Sequence, residues 1–123
     1  MKRIAIVDDE PDITAVLKKG LEQNGFAIDA FNDPRLALSS FKPNHYDLMI
    51  IDIRMPNING FDLYRELKKR DSSVKVCFLT AFEIYYEEFR KMFPNIDVRA
   101  FVRKPVGIAA LVKQIDAVLE SPS

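Results

Sequence analysis

The chain carries one cysteine, Cys77, and one histidine, His45, among its 123 residues. A lone thiol cannot close an internal disulfide, and Cys77 lies inside the apolar run VKVCFLT, where a cysteine reads as a small core hydrophobe. One histidine and one cysteine are also too few nitrogen and sulfur ligands for a structural zinc site. His45, in PNHYD, reads as a solvated loop residue. A surplus of charge is missing too: Lys plus Arg and Asp plus Glu stand at 18 each, for a formal net charge of zero. A domain that grips nucleic acid by neutralising phosphates needs a basic excess, so direct nucleic-acid binding is not expected. No apolar run approaches the roughly 18 residues of a membrane span. Met1-Lys2-Arg3 leads into only Ile4 to Val7 before acids begin, too short for a signal-peptide core. There is no internal repeat and no low-complexity segment. A cytoplasmic globular protein is the expectation these absences leave.

What is present is an ordinary apolar fraction, 48%, in a length that suits one domain with a real core. The apolar residues fall into short runs of strand length: RIAIVD, FAIDAF, DLMIID, VKVCFLT and DVRAFV. Longer amphipathic stretches separate them. The first groups Ile13, Val16, Leu17 and Leu21, with Pro11 and Asp12 in its first turn and Asn24-Gly25 as its stop. The second spans 34–41 behind Asp33 as an N-cap. The third gathers Leu63, Tyr64 and Leu67 and ends in Lys68-Lys69-Arg70, favourable beside a helix C-terminus. The fourth, EIYYEEFRKMF, puts Tyr85, Tyr86, Phe89, Met92 and Phe93 on one side and Ile84 on the charged side. The last uses Ile108, Leu111, Val112, Ile115, Val118 and Leu119. Five strands alternating with five helices predict an α/β domain with a parallel sheet, covered on both faces where the runs are continuously apolar. The domain is expected to span 1–120, with 121–123 a frayed tail or the start of a linker.

In such a sheet every strand delivers its C-terminal end to one edge, where ligands bind. The first strand ends at Asp8-Asp9, the third at Asp52, the fourth at Thr80 and the fifth at Lys104-Pro105. Three carboxylates, a hydroxyl and an ammonium therefore converge on one crevice. The carboxylates repel unless cations join them. Lys104 offsets one charge, and Mg²⁺, which prefers hard oxygen ligands and shares them with phosphates, is the natural second cation.

These residues in this order resemble the receiver domain of two-component response regulators. The motifs are the DDE start at Asp8-Asp9-Glu10, Asp52 in LMIIDIRMPNINGF with Pro56 and Gly60 after it, Thr80 in FLTA, and Lys104 in FVRKP. The resemblance covers almost the whole chain and implies a flavodoxin-like, doubly wound five-stranded sheet of order 2-1-3-4-5. It implies that Asp52 accepts a phosphoryl group from a sensor histidine kinase or phosphotransfer protein. Asp8, Asp9, Asp52 and the backbone carbonyl of Arg54 would hold Mg²⁺, while Lys104 and Thr80 would meet phosphoryl oxygens. Thr80 and Phe101 would act as the switch, Phe101 turning inward when Thr80 moves, and lacking the hydroxyl that would hold it outward. The resemblance places a partner-binding or homodimer face on the fourth predicted helix, the fifth strand and the last helix, and kinase docking on the first helix near Lys18, Lys19 and Glu22. It describes a signalling switch that assists its own phosphoryl transfer rather than an enzyme, standing alone or excised from a longer regulator.

Two residues depart from the family's common pattern: Arg54, two after Asp52, and Phe82, two after Thr80. Large and apolar, Phe82 is expected to slow dephosphorylation; only the carbonyl of Arg54 is required. Lys104-Pro105 is expected to be cis by the same resemblance. Two alternatives stand beside this reading. One is a degenerate receiver acting as a phosphorylation-independent binding or dimerisation module. The other is a flavin domain of the same topology, whose phosphate tail the acidic crevice would repel.

Overall fold

A computed structural model describes residues 1–80, 87, 90, 91, 101–104 and 106–120. In chain order the elements are β1 (Arg3–Val7), α1 (Pro11–Gln23), β2 (Ala27–Phe31), α2 (Pro34–Ser40), β3 (Leu48–Asp52), α3 (Gly60–Arg70), β4 (Lys75–Thr80), β5 (Phe101–Arg103) and α4 (Ile108–Glu120). The strands form one parallel sheet in the order β2-β1-β3-β4-β5, as the resemblance implied. The fourth predicted helix with its aromatic stripe and Ile84, the first half of the DVRAFV run, Phe82 and the Pro105 peptide all lie outside the described residues.

Alternation along the strands sorts the core into two layers. Ala5, Val7, Met49, Ile51, Val76 and Phe78 face α2 and α3, together with Ala37, Phe61, Leu63 and Leu67. Ile4, Ile6, Leu48, Ile50, Cys77, Leu79 and Val102 face α1 and α4, together with Leu17, Leu21, Leu111 and Ile115. All five residues of β3 are buried, which explains its unbroken apolar reading up to Asp52. Cys77 is fully enclosed, and burial pushes its thiol pKa up to about 12. The buried-thiol expectation holds.

Local chemistry sets the helix ends. Pro11 opens α1, whose chain is stopped after Asn24 by Gly25 at a left-handed φ of 89°. Asp33 caps α2 by accepting from Arg35 N at 2.9 Å, and Asn59 caps α3 by accepting from Asp62 N at 2.9 Å. Lys68, Lys69 and Arg70 fill the last turn of α3 as expected.

Two details differ from the sequence reading. Val16 is 64% exposed, while Thr14 takes the inward position on α1 at 3%. At about 100° per residue, Thr14 lies about 60° from the centre of the stripe formed by Ile13, Leu17 and Leu21, and Val16 about 100° away. Packing follows that geometry, and a hydroxyl bond from Thr14 to Pro11 O (3.0 Å) removes the cost of burying it. His45 is half-buried rather than freely solvated: its Nδ1 lies 3.3 Å from Arg3 Nη1, and its ring meets Tyr46 edge-on at 4.7 Å.

Candidate functional site

The carboxyl ends of β1, β3, β4 and β5 lie side by side at one edge of the sheet. Asp8 continues β1 by one residue, its amide donating to Phe31 O at 3.0 Å, and the residue is fully buried. Asp52 closes β3 at 5% exposure and Thr80 closes β4 at 6%. Lys104 follows β5, its amide donating to Thr80 O at 2.7 Å, which extends the β4–β5 pairing and aims the side chain across the edge.

The Lys104 ammonium joins three acids from two segments, the loop after β1 and the end of β3. Its Nζ lies 2.7 Å from Asp8 Oδ2, 3.5 Å from Asp52 Oδ1 and 3.9 Å from Glu10 Oε1. Asp8, Asp9 and Glu10 bring one carboxylate oxygen each within 4.8 Å of one another. Asp8 also accepts the Glu10 amide at 3.0 Å, which folds the acidic loop back toward β1. Asp9 is half-buried and Glu10 exposed, so the cluster is sealed beneath and open above.

Electrostatics follow from that crowding. Burial first, and then the charge of Asp8, push the Asp52 carboxyl up to about 6; Lys104 and the Arg54 amide oppose this, and Asp9 adds to it. Burial works to depress the Lys104 ammonium, but its hydrogen bond to Asp8 and the charges of Asp52, Asp8 and Glu10 outweigh that and raise its pKa. Lys104 therefore stays charged while Asp52 is poised near neutrality. One cation against four nearby carboxylates leaves negative charge in excess. The donors are all hard oxygens, a set that fits Mg²⁺ and not a thiolate- or imidazole-bound metal.

The structure thus brings together Asp8, Asp52 and Lys104 by direct contact, with Asp9 beside them and Thr80 at the adjoining strand end. Arg54 is exposed, and its backbone amide donates to Asp52. Phe101 is half-buried, its ring 5.5 Å from that of Phe78, on the face packed against α3. The sequence marks Glu10 only as the third residue of the DDE motif, with no place among the ligands. Its adjacency to Asp8-Asp9 was the signal that its carboxylate could join them. Gly60 was noted only as a motif residue. A Cβ there would press on the Asp52 carbonyl oxygen and lie 2.8 Å from Ile53 Cα, so α3 begins directly against the strand end that carries Asp52. Its amide donates to Ile53 O at 2.7 Å. Asn57, at a φ of 73° that asparagine tolerates, turns the loop toward that contact.

A doubly wound parallel α/β domain with an oxygen-lined, lysine-bridged acidic pocket at its switch point is the class these features define. The chain matches the response regulator receiver domain family over residues 4–116, and it belongs to that family. It is 32% identical over 117 residues to the transcriptional regulatory protein PrrA of Mycobacterium tuberculosis, covering 95% of this chain and 49% of PrrA. The chain thus spans about half the length of that curated relative. Among solved structures, the non-phosphorylated HemR receiver domain of Leptospira biflexa superposes with a TM-score of 0.84 at 25% identity, covering 100% of this chain and 98% of that one. The response regulator TrrA of Thermotoga maritima, solved with Mg²⁺ and BeF, gives 0.76 at 32% identity, covering 96% and 99%. TrrA in complex with the histidine kinase ThkA gives 0.76 at 34%, covering 98% and 100%.

Proposed function

We propose that residues 1–120 form a phospho-accepting receiver that takes a phosphoryl group from a phosphohistidine onto Asp52. The observation that carries this reading is the Lys104 ammonium lying between Asp8 and Asp52 in a pocket where Asp52 titrates near 6. A carboxylate oxygen of Asp52 attacks phosphorus, the phosphorus–nitrogen bond breaks, and its electron pair returns to the imidazole of the donor. No general base is needed, because above pH 6 Asp52 is mostly ionised. The transferring group spreads charge over three equatorial oxygens, so the pocket's work is placement and neutralisation.

Asp8, Asp9, Asp52 and the carbonyl of Arg54 would hold Mg²⁺, with Glu10 at the open side of the cluster. When bound, the ion supplies the positive charge that this excess of carboxylates lacks. Lys104 pairs with one phosphoryl oxygen and the Thr80 hydroxyl donates to another. Phosphorylation adds about 1.5 to 2 negative charges, enough to draw Thr80 and let Phe101 settle further against Phe78. The chain acts as a switch in a cytoplasmic two-component pathway. No described helix is long and apolar enough to cross a membrane. The kinase-bound structure of TrrA, at 34% identity, supports a histidine kinase as the donor.

The degenerate reading is disfavoured because Asp8, Asp9, Asp52, Thr80 and Lys104 are all present, and three of them are in contact. Incubation with acetyl phosphate and Mg²⁺, followed by intact-mass measurement, should add one phosphoryl group to the wild type and none to Asp52→Asn. A wild type that takes up nothing would return the degenerate reading to first place.

A further inference from the structure

The β1–β2 ladder ends one bond short at the acidic loop. Asp8 N donates to Phe31 O, but β2 stops at Phe31 and Asp33 turns away to cap α2. The Asp8 carbonyl, at the foot of the acidic loop, is thereby left without the next strand's amide, and a buried carbonyl without a partner is costly. The Asn32 side chain fills the gap: its Nδ2 donates to Asp8 O at 2.9 Å. The second hydrogen of the same amide goes to Thr14 Oγ1, also at 2.9 Å. Thr14 in turn passes its own hydrogen to Pro11 O at 3.0 Å. One side-chain amide therefore bridges the last carbonyl before Asp9 and the first turn of α1 just after Glu10. Both ends of the acidic loop are pinned from the residue that follows β2, a segment that contributes no acid to the pocket.

We infer that Asn32, acting through Thr14 and the Asp8 carbonyl, is a positioning residue that sets the direction of the Asp9 carboxylate for Mg²⁺. The inference rests on the metal reading given above. An amide is required because two donors on one atom are used, and neither a carboxylate nor a hydroxyl provides them. The hydroxyl of Thr14 is required because it accepts from Asn32 while donating to Pro11. Partners that orient metal ligands typically account for 10- to 100-fold in affinity, and here a backbone carbonyl and a loop are oriented rather than a ligand itself. The lower end of that range is expected.

Calorimetric titration of the unphosphorylated full chain with MgCl₂, beside thermal melts in EDTA, tests this. Asn32→Ala should raise the Mg²⁺ Kd about tenfold. Thr14→Val should weaken binding in the same direction, Thr14→Ser should restore the wild-type Kd, and the double variant should bind no worse than Asn32→Ala alone, because both changes break one relay. A well-folded Asn32→Ala with wild-type Kd, whatever its melting temperature, would overturn the inference. If that variant does not fold, an unchanged Kd in Thr14→Val does the same. A wild type that gives no Mg²⁺ heat at all would overturn the metal reading and this inference with it, a result distinct from loss in the variants alone.

Discussion

Without the Lys104 ammonium, Asp8 and Asp52 would sit buried with no cation between them. Removing one member of a buried charge cluster typically costs about 3 to 5 kcal/mol. Lys104→Met should lower urea-unfolding stability by about that much at neutral pH, and by less in acid, where Asp52 is protonated. Asp52 itself works against the fold. Its pKa rises from 3.8 unfolded to about 6 folded, so its favourable contribution is complete below about pH 4 and is lost as pH climbs through 6. Asp52→Asn should therefore stabilise the metal-free protein by roughly 2 to 3 kcal/mol at neutral pH, with the gain fading toward pH 4. Denaturant melts at several pH values check the slope. Asp8, Asp52 and Lys104 were legible in the sequence because each ends an apolar run. Glu10 was not, since a first-turn acid and a pocket acid look alike until Lys104 is placed beside one. Asn32 was illegible for a different reason: its task arises from a ladder that stops, and no residue type announces where pairing ends.

Between elements, the tightest approach is α3 against the end of β3. Gly60→Ala would drive a methyl into the Asp52 carbonyl, so the helix start or the strand end must shift. A cost of about 1 to 3 kcal/mol is expected, together with slower phosphoryl uptake, because the displaced backbone carries Asp52. Gly107→Ala is the control: a Cβ there meets nothing, and stability should stay within about 0.5 kcal/mol. Phe78 binds the same layer together, meeting Phe61 and Tyr64 edge-on at 5.5 and 5.6 Å and Phe101 at 5.5 Å. Phe78→Ala should cost about 3 to 5 kcal/mol in chemical denaturation. Strands and caps were readable because burial on two faces and Asx side chains leave strong local marks. The facing of α1 was less so. Val16 fits an apolar pattern on paper, yet it stands further round the helix from the buried stripe than Thr14, which takes the inward place.

For the molecule as a whole, alternation of strand and helix predicted a parallel sheet, while the strand order came from family likeness, since local pattern does not encode which strands become neighbours. Mg²⁺ held in the acidic pocket, as proposed, would link ion binding to folding. At 100 times its Kd, Mg²⁺ should add about 2.7 kcal/mol to stability. A rise in Tm with MgCl₂ that disappears in Asp9→Ala is the expected calorimetric result. The enclosed Cys77 gives a way to follow such coupling without any added label. Seated mid-sheet and protonated at neutral pH, it offers no thiolate to an alkylating reagent until β4 comes away from its neighbours. The rate at which iodoacetamide modifies this protein should then count excursions to the open chain, slowing as Mg²⁺ is added and quickening in any variant that loosens the sheet.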